Sequence, residues 1–583
     1  MTFQAPTKAM TYLLRHAADL DHVLEETGAE GVDRDMVSAI LQGAEDFATN
    51  VLAPTNWAGD QNPAELHDGD VTTSPGFKEA YHAFVEAGWQ AVALPEDVGG
   101  MGLPQVVSTA TNEMIYSANM ALGLAPMLTS SAVKAIAAHG TEEQKEVYLP
   151  RMVNGEWSGA MCLTEPQAGS DLSILRTKAE PLDDGSYSIT GQKIYITWGD
   201  HDCADNIIHL VLARLPDAPE GSRGISLFLC PKMFVNEDGT LGDRNDFRPI
   251  GLEHKLGIHG SPTCTMEFEG ARGWLVGEPN KGLACMFTMM NEARLFVGVQ
   301  GVAIGERAYQ AALQYAHDRV QGIPIDSEVG APIVDHPDVR RTLVHMKSRL
   351  MGARAINMAT ATAADLAEGA RDGDVRGRAH RREALLTPIA KAYGSDLGIE
   401  AASMGVQVHG GMGFVEETGA AQHYRDARIA PIYEGTNGIQ AIDLVGRKLR
   451  RDGGEAMREL VEDLRKVEAG TDAETHPVLA KALSDGLTTL STATDIVLNA
   501  SDVDALSGAS AYLELAGHVL AGALLIKATV NGEAAGDPDA EAMGALARYH
   551  ALAVMPEAAS ALDYLRRSSS AVFDVPKAAL ADL

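Results

Sequence analysis

Three kinds of hydrophobic patterning follow one another along the chain. Up to about residue 157, apolar residues recur at three- and four-residue intervals, the spacing of amphipathic helices. Residues 1 to about 45 read as a helical hairpin with Gly28 and Gly31 between its arms, and the periodicity continues from Asp35 to about Val51. Pro54, Pro63 and the acidic stretch to Pro75 predict a surface excursion. Helical spacing returns over 76–89, breaks at the Gly/Pro loop LPEDVGGMGLP (94–104) and resumes over 106–121 and 130–138. Thr141, with Gln144 three residues on, predicts a capped helix start.

Near Ser158 the period changes to two. SGAMCLT (158–164), SYSITGQKIYIT (186–197), IIHLVLARL (207–215), GISLFLC (224–230) and TCTMEFEGARGWLV (263–276) read as short strands of a barrel or sandwich. Helical spacing returns at Gly282 and runs through 282–320, 335–367 and 383–403, with RDGDVRGRAHRRE (371–383) expected to be a solvated charged loop. HGGMGFVEETG (409–419) is turn-rich and leads to a helix starting near Gly435. After the break RRDGG (450–454), a separate Ala/Leu-rich helical piece follows. The class is α+β: an N-terminal helical domain (1–157), a central β-barrel or sandwich domain (158–280), a helical domain of four-helix type (281–450) and an additional C-terminal helical domain (451–583). Such segregation of elements argues against a βαβ sheet.

Charge narrows the partners. Lys and Arg number 47 against 80 Asp and Glu, a net charge of −33, which disfavours nucleic acid and anionic membrane surfaces. No apolar run reaches about 18 residues, so no membrane span is expected, and the first residues lack the apolar core of a secretory signal. The five cysteines form no CxxC pair, which fits a reducing, cytoplasmic setting without disulfides or a zinc module. No GxGxxG, P-loop, HExxH or GxSxG motif occurs in a fitting context, and no metal site is expected.

Three segments carry candidate chemistry. In CLTEPQAGSD (162–171), Thr164, Gly169 and Ser170 put hydroxyls and free amides around a turn able to hold an acceptor-rich ring or a carbonyl. In GQKIYITWGD (191–200), strict alternation puts Tyr195 and Thr197 on one face and Ile194, Ile196 and Trp198 on the other. In IYEGTNGIQ (432–440), Glu434 stands before a Gly-Thr-Asn-Gly turn into a helix, as a general base or as a carboxylate favoured by the helix dipole. Taken singly, each segment reads first as a plain surface turn, a half-buried strand or a solvated helix start.

Together, CLTEPQAGSD, KIYIT, QVHGGMGF and YEGTNGIQ, in this order, resemble the acyl-CoA dehydrogenase family of FAD-dependent enzymes over about residues 75–450. The resemblance implies α,β-desaturation of an acyl-CoA thioester with Glu434 as the base; Ala293 stands where some members carry that base instead. It implies FAD contacts from Cys162, Leu163, Thr164, Gly169, Ser170, Tyr195 (at a position commonly Trp), Ile196, Thr197, Gly435, Thr436 and Asn437. Arg319, Gln407, Gly410 and Gly411 would reach the FAD of a neighbouring subunit, which implies a homodimer or dimer of dimers. Ser170, Asn291 and Arg294 would serve the acyl-CoA, and Glu292 would point elsewhere on its helix. Electron-transfer flavoprotein or another acceptor would take the electrons. The phrase APTKAMTYLL (5–14) and the chain length look like the extended subgroup, with 3-(methylthio)propanoyl-CoA of dimethylsulfoniopropionate breakdown as the expected substrate, medium- or long-chain fatty acyl-CoA as the alternative. A non-catalytic assembly protein or a DNA-associated flavoprotein is disfavoured, because the stretch after 455 has no basic cluster.

Overall fold

The computed structural model of the chain describes residues 3–29, 31–325 and 327–581. The N-terminal stretch forms three helices, α1 (Thr7–His16), α2 (Leu20–Thr27) and α3 (Arg34–Phe47), in place of two long arms. The first arm breaks at Asp19, which takes a left-handed φ of 52°. Asp33 starts α3 by accepting from the Met36 N–H at 2.8 Å. A wide turn (Ala48–Leu52) leads into α4 (Ala53–Gln61), so Pro54 stands in a first helical turn, where its missing N–H is no loss. The expected excursion shrinks to a hairpin of β1 (Glu65–His67) and β2 (Asp70–Thr72), followed by α5 (Phe77–Glu86). Two predicted helices merge into α6 (Gln105–His139), kinked where Asn119 leaves helical geometry. Nearly every residue of α6 is buried, so it has no polar face from which its length could be read. The capping box of α7 (Glu142–Val153) forms as expected: the Thr141 N–H donates to Gln144 Oε1 (3.0 Å) and the Gln144 N–H to Thr141 Oγ1 (3.2 Å).

The β region holds β3 (Trp157–Cys162), β4 (Lys178–Pro181), β5 (Tyr187–Thr197), β6 (Asn206–Ala213), β7 (Ser226–Pro231), β8 (Met233–Val235), β9 (Leu241–Arg244), β10 (Phe247–Leu252) and β11 (Thr263–Val276). Seven of these form one sheet in the order β3-β6-β7-β11-β5-β4, with β10 also on β11. The β4 edge meets the end of β6, the strand beside the other edge, where the Ala179 N–H donates to the Arg214 carbonyl and the Arg214 N–H to the Thr177 carbonyl, so the sheet curls toward a barrel. Strands β6 and β7 are buried at every position. Ile208, Leu210, Leu227 and Leu229 pack on the helices, while Val211, Phe228 and Cys230 fill the barrel, which is why these strands read as continuous apolar runs.

Helices α8 (Gly282–Asp318), α9 (Pro337–Gly369) and α10 (Gly373–His409) complete a four-helix bundle with α6. The charged stretch 371–383 is not a loop. Asp372 caps it by accepting from the Asp374 and Val375 N–H groups, and it forms the first turns of α10. Its arginines dock the C-terminal helices: Arg378 and Arg382 bind Asp463 at 3.0 and 2.8 Å, and Arg381 binds Glu459. Then come α11 (Ala420–Ala427), α12 (Asn437–Asp443), α13 (Glu455–Gly470), α14 (Pro477–Asn499), α15 (Asp502–Ser507), α16 (Ala509–Ala534), α17 (Ala540–Ala553), α18 (Glu557–Leu565) and α19 (Ser568–Phe573). The C-terminal piece packs intimately on the rest of the chain. Its leucines belong to one hydrophobic core shared with the bundle and the N-terminal helices, and the Tyr12 hydroxyl donates to the Ala528 carbonyl of α16 at 2.9 Å. By length and composition α6 and α16 are apolar enough to span a membrane, contrary to expectation; 83% and 78% of their apolar windows are buried inside the fold.

The closest helix contact lies between α8 and α10. A Cβ on Gly301 would stand 2.2 Å from the Gly394 carbonyl oxygen, and one on Gly398 would stand 2.5 Å from the Gly301 carbonyl oxygen. Only glycine permits backbones to meet this way. Gly301→Ala is expected to cost about 1–3 kcal/mol as the helices are forced apart, read as a lower midpoint in denaturant melts; an unchanged midpoint would mean that this contact is dispensable.

Candidate active site

The first two candidate segments meet in the barrel wall. The Ile194 N–H donates to the Thr164 carbonyl at 2.9 Å, and the Lys193 ammonium donates to the Leu163 carbonyl at 3.1 Å and to Glu165 Oε1 at 2.8 Å. Lys193 is fully buried, and Glu165 also accepts from Thr177 Oγ1 and from the Arg176 and Thr177 N–H groups. Burial raises a carboxyl, but Lys193 and these donors outweigh it and hold Glu165 down at about 2. The sequence reading missed this pair. Its signal was a lysine at an inward-facing position of an otherwise apolar-in strand.

The alternation expected over 194–198 holds from Tyr195 to Trp198 and breaks at Ile194, which is half-buried. Pairing of β5 with β11 slips between Cys264 and Met266, leaving an extra residue in β5, and Tyr195 takes a left-handed φ of 59°. The bulge pushes Tyr195 outward to 60% exposure beside half-buried Thr197, while Ile196 and Trp198 turn inward. Trp198 donates to the Ala121 carbonyl at 3.1 Å and stacks on Phe77, tying the barrel to the N-terminal helices. Gly169 and Ser170 are exposed and Thr164 is half-buried. Cys162, Leu163 and Ile196 do not offer side chains: all three are buried in the cores, and burial pushes the Cys162 thiol up to about 12. Any cofactor contact from them runs through the backbone.

The third segment is held between α8 and α10. Glu434 takes a left-handed φ of 55° and Gly435 follows at 83°, two consecutive residues in a region costly for a glutamate. The turn is closed by the Asn437 N–H donating to the Pro431 carbonyl at 3.0 Å. The Glu434 carbonyl accepts from Arg294 Nε at 3.4 Å and from Gln440 Nε2 at 3.2 Å. Tyr433 donates to Gln300 of α8. Glu434 is half-buried, and loss of water around it raises its carboxyl above the usual range, with Arg294 and Lys391 pulling the other way. Thr436 caps α12 by accepting from the Ile439 N–H, and the Asn437 side chain is committed to α10. Asn437 therefore turns its side-chain amide to α10, which leaves its backbone for the cofactor contact that the resemblance implies. Arg294 is buried and faces the turn, with Asp443 at 3.9 Å, so its expected service to acyl-CoA runs through that turn. Asn291 is exposed, and Glu292 points away to Lys134 of α6 at 2.7 Å.

Arg319, Gln407, Gly410 and Gly411 are exposed and share the opposite end of the bundle, where Tyr315 packs on His409 with ring centroids 4.6 Å apart. Arg319 follows Arg294 by 25 residues along α8, roughly 38 Å at 1.5 Å per residue. One chain does not bring them to Glu434. Among the described residues no cluster of three or more His, Cys, Asp or Glu could hold a metal.

This arrangement of barrel wall, strained acidic turn and helical bundle has known counterparts. Residues 35–156, 160–271 and 280–449 match the N-terminal, middle and C-terminal domains of acyl-CoA dehydrogenases, and 456–576 match the acetyl-CoA dehydrogenase C-terminal-like domain. The chain is 45% identical over 532 residues to 3-methylmercaptopropionyl-CoA dehydrogenase of Ruegeria pomeroyi, covering 90% of each. Its fold is that of Caenorhabditis elegans ACDH-11 in complex with C11-CoA (TM-score 0.80, 21% identity, 99% of this chain and 96% of that one). It is also that of a Bacillus anthracis acyl-CoA dehydrogenase complexed with FAD (TM-score 0.73, 23% identity, 94% and 90%). The chain belongs to the acyl-CoA dehydrogenase family, and is an FAD-dependent oxidoreductase of that family. The residues present fit that cofactor: an exposed aromatic ring thrust out by a bulge, with open hydroxyls and glycine amides beside it.

A Cβ on Gly435 would stand 2.9 Å from Gln440 Nε2, and its φ is unfavourable for any other residue. Gly435→Ala is therefore expected to dislodge Gln440 from the Glu434 carbonyl and to slow dehydrogenation about tenfold, for a strain of about 1–3 kcal/mol, with FAD content unchanged. Steady-state rates beside flavin absorbance check this.

Proposed function

We propose that the protein oxidises 3-(methylthio)propanoyl-CoA to its trans-2-enoyl thioester, in dimethylsulfoniopropionate breakdown, with Glu434 as the base. The observation that carries the base assignment is a glutamate forced into left-handed geometry on a pinned turn, half-buried, with its proton affinity raised. A raised proton affinity makes Glu434 a stronger base toward the weakly acidic α-carbon of a thioester. In this reading a backbone amide near Glu434 stabilises charge on the thioester oxygen. Activity requires the ionised carboxylate, so it falls as pH drops through the raised value. When bound, FAD supplies the two-electron acceptor for the β-hydrogen.

In this reading Thr164, Gly169, Ser170, Tyr195 and Thr197 hold the ring end of the cofactor, with backbone groups of Cys162, Leu163, Ile196, Gly435, Thr436 and Asn437. Ser170 and Asn291 serve the CoA thioester. Arg319, Gln407, Gly410 and Gly411 serve the cofactor of a second copy. Their surroundings support that: Phe414 is 90% exposed and Ile325 83%, with Met412, Val415, Val320, Ile323 and Val329 also exposed. Apolar side chains so grouped suit an interface, here that of a homodimer or dimer of dimers. We divide the chain at residues 157, 280 and 450 and assign it to the cytoplasm, with electron-transfer flavoprotein or a related acceptor as partner. The substrate reading rests on the identity to the Ruegeria pomeroyi relative.

Glu434→Gln is expected to fold and load FAD, yet to bleach the flavin with substrate at least 100-fold more slowly, within the ~10²–10⁴ of general acid–base catalysis. Rapid bleaching in that variant refutes the base. Across a panel of thioesters, 3-(methylthio)propanoyl-CoA is expected to give the highest kcat/KM; a preference for octanoyl- or palmitoyl-CoA would instead assign the enzyme to fatty acids.

A further inference from the structure

Lys391 stands in the middle of α10, and its side chain is fully buried. Its ammonium donates to Asn437 Oδ1 at 2.8 Å. Asn437 in turn donates to the Ala392 carbonyl (3.2 Å) and to Ser395 Oγ (3.0 Å), so three residues of α10 grip the first residue of α12. That residue closes the turn carrying Glu434 through its own N–H. Among the described residues no carboxylate lies within 4.0 Å of the ammonium, although an uncompensated buried charge is costly. A hydrogen bond to a neutral amide does not explain a lysine here; a glutamine would make it.

The charged groups that face it surround the same turn. Two are anions, Asp396 on α10 and Glu434 on the turn; Arg294 on α8, itself facing Asp443 with Arg447 beyond it, is a cation and opposes the ammonium, and the buried phenols of Tyr116 on α6 and Tyr433 on the turn's own segment stay neutral. Among these the Glu434 carboxylate is the anion that pulls hardest against the loss of water around Lys391, although burial still holds the ammonium down at about 7. The attraction is mutual, since Lys391 also favours the ionised form of Glu434.

We propose that Lys391 is a positioning residue for the base: through Asn437 it holds the Glu434 turn, and with its charge it keeps Glu434 ionised. This rests on the assignment of Glu434 above. The design opposes burial. Burial under a substrate strengthens the base but also favours its protonated, useless form, and a buried cation restores the ionised population without entering the substrate's space.

The test is stopped-flow flavin bleaching of the FAD-loaded full-length protein by 3-(methylthio)propanoyl-CoA between pH 5 and 9. Lys391→Gln keeps a donor for Asn437 and removes the charge; Lys391→Met removes both, and either suffices if the other does not fold. Removing a cation raises the proton affinity of Glu434, so the acid limb is expected to move up by about one pH unit, with bleaching near pH 6 slowed about tenfold and KM little changed. Lys391→Arg is expected to return the limb toward its original place. Asn437→Ala, which keeps the charge, should lower the rate without moving the limb. An unmoved limb in the Lys391→Gln or Lys391→Met variants, or an equal shift in Asn437→Ala, overturns the proposal. If Glu434→Gln bleaches normally, the base assignment itself is what has failed.

Discussion

The contact on which the site depends is the glycine-lined approach of α8 to α10. Helices bearing ordinary side chains pack 8–10 Å apart. Here Gly301, Gly394 and Gly398 let backbone touch backbone. That closeness lets Arg294 on one helix and Lys391 on the other grip the same short turn, one at the Glu434 carbonyl and the other at Asn437. A left-handed glutamate is an unfavourable local choice, and it persists only because two rigid helices over-determine it.

A similar economy holds in the barrel wall. Buried Glu165 and Lys193 join the exit of β3 to the bulge of β5. The pair gains geometry more than stability, since burying two charges roughly cancels the attraction between them. What it fixes is a register in which Tyr195 must face outward while Ile196 and Trp198 face the core. The bundle repeats the device on a larger scale. Arg354, fully buried on α9, binds Glu113 of α6 and Glu306 of α8 at 2.6 and 2.9 Å, which sets the rotation of three helices about their axes. Apolar contacts alone tolerate rotation; paired charges in a dry interior do not.

The N- and C-terminal helices belong to the same argument. They share one hydrophobic core with the bundle, joined by Tyr12 on α16 and by the arginines of α10 on α13. The C-terminal helices thereby brace the start of the helix whose middle carries Lys391. At the far ends of α8 and α10 lies the exposed apolar surface around Phe414 and Ile325, so the two helices that hold the base also reach toward the region proposed for a second copy.

The order of layers, most strand positions and the Thr141 cap were legible in the sequence, because hydrophobic period and capping chemistry act over a few residues. So were the segments around Thr164, Thr197 and Glu434, whose joint occurrence marks the family. The length of α6 was not legible, since a helix buried on all sides has no period to show. The charged stretch 371–383 looked like a loop because its carboxylate partners lie some 80 residues further on, in α13. Lys193 and Lys391 were passed over for the same reason: a lysine reads as surface until the fold encloses it. Sequence alone determines which groups are present and how each segment coils. Whether a charge is solvated or buried against a partner depends on contacts between segments far apart in the chain, and only the tertiary structure decides that.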